Sequence, residues 1–336
     1  MDLARLRLRS AAVRTIRAWF DARDFLEVQT PRLVGLPGQE PYLEPFWTEV
    51  VEVSGSRHPA GLVTSPEYAC KRLLAAGVER LYDLGPCFRN GEPWDGTHDP
   101  EFLMLEWYRR DAGLEDLLRD TEMMMRDVSK ALATQGFAPK TDWTGGEWRR
   151  LTVEEAWQEY AGIELAPLLG DRDAMAKVAA ERGQTVVEND SWDDLFFKVF
   201  LSEIEPKLGF DDAGRPRPTF LYRYPASMAA LARRSADDPR WADRTELYVG
   251  TLELANGFAE LSDEMEQRAR FEEERALRAG LGKPTWALDE RFLKSLPAMG
   301  NAAGIAFGVD RFVMLLAGTD SINDIVPFSA RERFEG

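Results

Sequence analysis

The first twenty residues place Val13, Ile16 and Phe20 on one helical face, and the pattern then breaks into the short apolar run Phe25 to Val28, stopped by Thr30 and Pro31. A helix, a strand and a stop are predicted. Between Tyr42 and Thr64, Val50, Val51 and Val53 precede a Ser-Gly-Ser turn from which Leu62 and Val63 return, the pattern of a hairpin. Ser65-Pro66-Glu67 supplies a cap, a proline at the first helical position and an early acid, so a helix is predicted from Pro66 to Ala76, closed by Gly77. Arg80 to Phe88 and Glu101 to Tyr108 read as strands joined by a polar loop, Arg89 to Pro100, rich in Gly, Pro and Asp. A helix follows near Leu114 to Leu132. Residues 139–218 mix helical signals with several tryptophans and no sharp motif, so they are expected to be a helical insertion. Strand patterns resume at Thr219 to Tyr224 and Glu246 to Leu254, an acidic helix runs from about Asp263 to Leu281, and Gly304 to Val309 feeds a helix from Arg311 to Leu316.

Composition narrows the function classes. With 336 residues, 44% of them hydrophobic, the chain can bury a continuous core. Its 42 lysines and arginines against 58 acids give a formal charge of −16, which disfavours extended binding along a phosphate backbone but not a local basic pocket. Cys70 and Cys87 cannot form a disulfide framework, and with two histidines there is no spacing for a structural zinc. No apolar run suits a signal sequence or a bilayer span, so a cytoplasmic protein without a membrane partner is expected.

Three separated segments carry chemistry: LEVQTPRL (Leu26 to Leu33), FRN with its loop down to HDPEFLMLEWY (Phe88 to Tyr108), and GIAFGVDRFVM (Gly304 to Met314). Together they resemble motifs 1, 2 and 3 of the class II aminoacyl-tRNA synthetases, and TSPEYACKRLL and ELANGFAELSD narrow the likeness to the lysyl branch. Within it the chain resembles the truncated paralogues, the elongation factor P (R)-β-lysine ligases, over nearly its whole length. The resemblance implies an α+β fold, an antiparallel sheet flanked by helices, in one catalytic domain over residues 1–336. Bacterial lysyl-tRNA synthetases place an anticodon-binding OB domain before motif 1, whereas here the motif 1 helix opens the chain. With the charge of −16 this leads us to expect that tRNA is not a partner.

Adenylation joins a carboxylate to the α-phosphate of ATP, two anions that need a fixed cation between them and others on the leaving pyrophosphate. The resemblance gives Arg89 the bridging role and Arg311 the γ-phosphate, and guanidinium geometry suits both. Glu246 and Glu253 flank a Val-Gly-Thr break that looks like a tight turn and can therefore meet on adjacent strands; by resemblance they bind Mg²⁺ and ATP phosphates. A diamino acid needs several acids and a hydroxyl around its ammonium groups. Glu67, Glu106, Tyr108, Asn256 and Glu260 fit: by resemblance Tyr108 and Glu260 hold the distal ammonium, Glu67 the proximal amine, and Glu106 and Asn256 the carboxylate end. Glu106 and Tyr108, two apart on a strand, share a face. Phe258 suits adenine, the pocket wall or the core; His98 suits an ATP contact or an ordinary loop position. Ala306 stands where the lysyl-tRNA synthetases usually have the motif 3 glycine and the β-lysine ligases alanine; its methyl either takes the room of an α-amino group or simply packs the strand.

The loop RNGEPWDGTHDPEF departs from the family pattern. It is one residue longer, Thr97 precedes His98 where an arginine is usual nearby, Gly91 replaces an adenine-contacting glutamate unless Glu92 shifts in, and Asp99 replaces asparagine. The expected function is ATP- and Mg²⁺-dependent activation of (R)-β-lysine or lysine and its transfer to a lysine of elongation factor P, by a homodimer formed through motif 1. The alternatives are a ligase for another acceptor, a minimal lysyl-tRNA synthetase, or a silent paralogue serving as a regulatory binding module.

Overall fold

The computed structural model describes residues 2–140 and 143–335; residues 141 and 142, within the expected insertion, lie outside the described residues. Two compact units are present, one made of Met1–Thr141 with Glu260–Gly336, the other of Asp142–Ala259.

The first unit begins with α1 (Leu3–Asp21), capped by Asp2, whose carboxylate accepts the Ala4 N–H at 2.8 Å. Its buried face is Leu8, Ala11, Ala12, Ile16, Trp19 and Phe20. There follow β1 (Leu26–Val28), β2 (Leu33–Val34), β3 (Trp47–Val51), β4 (Arg57–Leu62), α2 (Glu67–Ala75), β5 (Arg80–Phe88), β6 (Glu101–Arg110) and α3 (Leu114–Thr134). The chain then enters the second unit through β7 (Arg149–Thr152), α4 (Val153–Ala161), α5 (Arg172–Glu181), α6 (Trp192–Val199), α7 (Glu205–Leu208), β8 (Thr219–Pro225), β9 (Trp241–Val249) and β10 (Leu252–Ala259). It returns to the first with α8 (Glu264–Gly280), α9 (Glu290–Met299), β11 (Ala302–Gly308), α10 (Val309–Ala317) and α11 (Ala330–Phe334).

In the first unit the strands run in the order β1-β5-β6-β11, antiparallel except for the parallel pair β1/β5, and β2-β4-β3 form a small separate sheet. Phe20 of α1 stacks on Tyr82 at 4.8 Å and lies 5.3 Å from Trp107, tying the first helix to β5 and β6 through buried aromatic area. In the second unit β10-β9-β8-β7 pair in that order, again with one parallel edge, β7/β8. Its core packs Trp157, Phe196, Phe200 and Ile204 from the helices against Leu221, Tyr224 and Tyr248 of the strands.

The expected strand from Glu246 to Leu254 is two strands, broken where the Val-Gly-Thr turn was read. Gly250 sits there at φ +61 and donates its N–H to the Gly209 oxygen at 2.8 Å, and a Cβ on Gly209 would lie 2.0 Å from the Gly250 oxygen. α2, β5, β6, α3, α8 and α10 fall at or within two residues of their predicted bounds, and the hairpin expected over Tyr42 to Thr64 is present as β3 and β4 but begins five residues later. The short strands β2 and β7 and the helix α9 carried no readable signal. β2 is two residues long, and α9 contains Pro297 inside the helix, where it lacks the N–H for a backbone hydrogen bond and argues against a helix by pattern.

Candidate active site

In the first unit Glu106 and Tyr108 of β6 lie on one face, as their spacing predicts. The β6/β11 register sets Ala306 opposite Glu106 and Gly304 opposite Tyr108, so all four share that face. A Cβ on Gly304 would lie 2.1 Å from the Tyr108 ring and 2.6 Å from Glu260 Oε1, so glycine is what lets these two side chains occupy the same spot. The Tyr108 hydroxyl donates to Glu106 Oε2 at 2.6 Å, and Ser65 Oγ donates to Glu106 Oε1 at 2.6 Å. Ser65 Oγ also accepts the Glu67 N–H at 3.1 Å, but it stands one residue before the N-cap and is not the cap its sequence suggests; its hydroxyl supports Glu106. Pro66, not a helical first residue, is the N-cap position of α2. Glu67, Glu106 and Glu260 are all buried.

Sequence reasoning missed Lys71. Its ammonium is fully buried between Glu67 and Glu260, 2.6 Å from Glu260 Oε2 and in contact with Glu67. Its i, i+4 spacing from Glu67 on α2 is the signal that could have revealed it. Burial alone would lower its pKa, but Glu260 and Glu67 outweigh that and hold it above the usual lysine value. Burial, with Glu67 beside it, pushes Glu106 up to about 7, and burial likewise raises Glu260 against the pull of Lys71. The pocket is thus an acid cluster holding one internal cation, with capacity for a ligand bringing further positive charge. A recess lined by Val34, Pro37, Glu40, Ser65, Glu67 and Tyr68 adjoins Glu67, and Glu40 there was not foreseen; burial raises its pKa. Cys70 and Cys87 are buried core thiols, the latter pushed by burial to about 12.

Arg89, at the end of β5, places its guanidinium 5.1 Å above the Phe102 ring, and its Nε is buried without a hydrogen-bond partner among the described residues. A buried orphan donor on a cation suits an anionic ligand. Arg311, in the first turn of α10, lies against the 89–100 loop: its Nη2 is 3.0 Å from His98 Nε2 and its Nε 3.4 Å from the Thr97 oxygen. Glu92 reaches within 3.9 Å of the same histidine. Arg311, His98 and Glu92 are therefore brought together.

In the second unit Glu246 and Tyr248 share a face of β9, and the β9/β10 register carries Asn256, opposite Glu246, and Glu253, opposite Tyr248, to that face. Glu246 accepts from the Tyr224 hydroxyl, from Tyr248 at 2.6 Å and from Arg244 Nη2 at 2.5 Å. Arg244 Nε also donates to Asn256 Oδ1 at 3.3 Å, and its guanidinium lies 4.4 Å over the Tyr224 ring. A carboxylate offers about four acceptor sites, so Glu246 retains room for a cation. Among the described residues no group of three or more His, Cys, Asp or Glu can hold a metal alone, so Mg²⁺ on Glu246 and Glu253 fits only with oxygens supplied by a ligand. Phe258 is half-buried and packs against a small cluster of Ala229, Ala232 and Ala242.

The family model of the class II tRNA synthetases (D, K and N) matches residues 3–332 of this chain, across both units. The chain belongs to that family. Its α+β fold of mainly antiparallel strands flanked by helices is the class II catalytic fold, as its motifs predict. Among curated proteins, the chain is 37% identical over 331 residues to the elongation factor P (R)-β-lysine ligase of Proteus mirabilis (strain HI4320), covering 97% of this chain and 95% of that protein. It is 36% identical to the protein of the same name from Erwinia tasmaniensis and 35% to that of Haemophilus influenzae (strain PittGG), each match covering 98% of this chain and 95% of the relative. These class II relatives are named as ligases, so the matched family is one of enzymes.

Proposed function

We propose that this protein activates (R)-β-lysine, or lysine, as an aminoacyl-adenylate and transfers it to a lysine side chain of elongation factor P. The observation that carries the reading is the buried set Glu67, Glu106, Tyr108 and Glu260, packed together on the face of Gly304 and Ala306, in a chain whose relatives bear the ligase name. An acid-rich, buried cluster with a hydroxyl suits a substrate with two ammonium groups. Tyr108 and Glu260 take the distal ammonium and Glu67 the proximal one, with Ala306 opposite Glu106 where a proximal amine must fit.

Arg89 bridges the substrate carboxylate and the α-phosphate, and Arg311 with His98 and Glu92 holds the outer phosphates and adenine side of ATP. Phe258 packs its exposed edge on adenine, and Asn256 orients the carboxylate end. The carboxylate oxygen forms a bond to the α-phosphorus as pyrophosphate leaves, and the Arg89 charge offsets the repulsion between the two anions. When bound, Mg²⁺ on Glu246 and Glu253 neutralises phosphate charge. In the second step an uncharged lysine amine of elongation factor P forms an amide with the acyl carbon, AMP leaves, and the amine loses a proton. The net charge of −16 supports a protein rather than tRNA as acceptor. Exposed Leu3, Leu26 and Leu33 on α1, β1 and β2, beside a strand edge, support a homodimer through motif 1. A family match spanning both units supports a single catalytic domain. Among the described residues no helix is long and apolar enough to cross a membrane, which agrees with a cytoplasmic site of action.

ATP–pyrophosphate exchange tests the first step: it should require a lysine-like amino acid and disappear in Arg89→Ala. Exchange indifferent to the amino acid, or undiminished in the variant, refutes the reading.

A further inference from the structure

The departures in the 89–100 loop have structural partners at the far end of the chain. Asp99, where the family pattern has asparagine, is buried; its Oδ2 accepts the Ala330 N–H at 2.8 Å and its Oδ1 pairs with Arg333. Arg333 also donates to Glu101 Oε2 at 3.0 Å, and Arg331 donates to the Trp94 oxygen at 2.9 Å. The Trp94 ring stacks on Phe334, centroids 5.9 Å apart and 26° between planes, and the Gly96 oxygen accepts the Ile322 N–H at 2.6 Å. The other side of the same loop presents Thr97 and His98 to Arg311. The loop is therefore clasped from behind by residues 320–334 while its front carries the groups assigned above to ATP.

We propose that Arg333 is a positioning residue for ATP: through Asp99 it holds the motif 2 loop in the conformation that sets His98 beside Arg311. The inference rests on the nucleotide role proposed for that loop. Its physical basis is that Asp99 and Arg333 pair with each other, with the Ala330 N–H and with Glu101, so their effect on catalysis passes through loop geometry, where displacements near 1 Å are costly. The charge-assisted pair also accounts for an acid at position 99, since asparagine lacks the charge that Arg333 meets.

Exchange kinetics with ATP and amino acid varied separately, alongside thermal unfolding, test this. Arg333→Ala and Asp99→Asn should each raise KM for ATP by about 5- to 20-fold, a scale set by a loop shift of a fraction of an ångström. Amino-acid KM and kcat should stay within about 2-fold, as for a residue acting on one ligand's binding alone. The double variant should be no worse than the poorer single one, because both remove one interaction, and Arg333→Lys should recover part of the loss. Arg89→Ala serves as control. An unchanged ATP KM in Arg333→Ala while Arg89→Ala abolishes exchange overturns the brace and leaves the activation reading standing, as does a parallel rise of both KM values with a lowered Tm. Exchange that survives Arg89→Ala overturns both.

Discussion

Gly304→Ala should separate amino-acid recognition from nucleotide binding. The added Cβ would lie 2.1 Å from Tyr108 Cδ1 and Cε1 and 2.6 Å from Glu260 Oε1, where carbon contacts normally sit at about 3.5 to 4 Å. The ring must retreat by more than an ångström, and it cannot turn out to solvent. It is buried, its hydroxyl is tied to Glu106 at 2.6 Å, and Glu260 is tied to Lys71 at the same distance. Overpacking of this kind costs about 1 to 3 kcal/mol of stability. Displacing a charge-assisted hydrogen bond to the distal ammonium costs about 1.5 to 3 kcal/mol more in binding, on the order of 10- to 100-fold in amino-acid KM. Arg89 and Arg311 make no contact with Gly304, so KM for ATP should hold within about 2-fold, the behaviour of a loss confined to one ligand. Exchange assays with each substrate varied, plus urea unfolding, give all three quantities. A normal amino-acid KM with alanine at 304 would show that Tyr108 and Glu260 do not grip the substrate; equal rises in both KM values would reduce the effect to misfolding.

Three further outcomes follow from the pocket. Lys71→Met leaves Glu67 and Glu260 buried without their cation and should cost about 3 to 5 kcal/mol, measured by urea unfolding; a loss below about 1 kcal/mol would mean the ion pair is dispensable. Glu106, raised by burial to about 7, is protonated in the free protein below that pH. Ligand-free stability should therefore fall as pH rises from about 4.5 to about 7 and level off above it, while kcat/KM for a diamino acid climbs around pH 7. A flat kcat/KM profile between pH 6 and 8.5, or an unaltered slope in Glu106→Gln, would contradict this assignment. Ala306→Gly should raise activation of α-lysine relative to β-lysine, by the roughly 1 to 3 kcal/mol that a methylene-sized change controls, with an unchanged isomer ratio as the contrary result.

The motif-bearing elements were legible because periodicity and caps agree locally. The apolar spacing of α1 and the Ser-Pro-Glu start of α2 specify structure without distant help. Strand spacing alone put Glu106 and Tyr108 on one face, and the glycine turn at Gly250 put Glu246 and Glu253 on neighbouring strands. What escaped depends on contacts far apart in sequence. Lys71 meets Glu260 across 189 positions, the span between their numbers, and Arg333 meets Asp99 across 234. Arg244, buried among Glu246, Asn256 and Tyr224, had no pattern to mark it, because an arginine inside a polar network reads like any surface arginine until the register is known.

Elongation factor P from the same source, incubated with this protein, ATP, Mg²⁺ and (R)-β-lysine and weighed intact, tests the ligase assignment most directly. One lysyl-sized increment should appear on the factor, dependent on ATP and absent with Arg89→Ala. An unmodified factor alongside efficient charging of lysine tRNA would contradict the account.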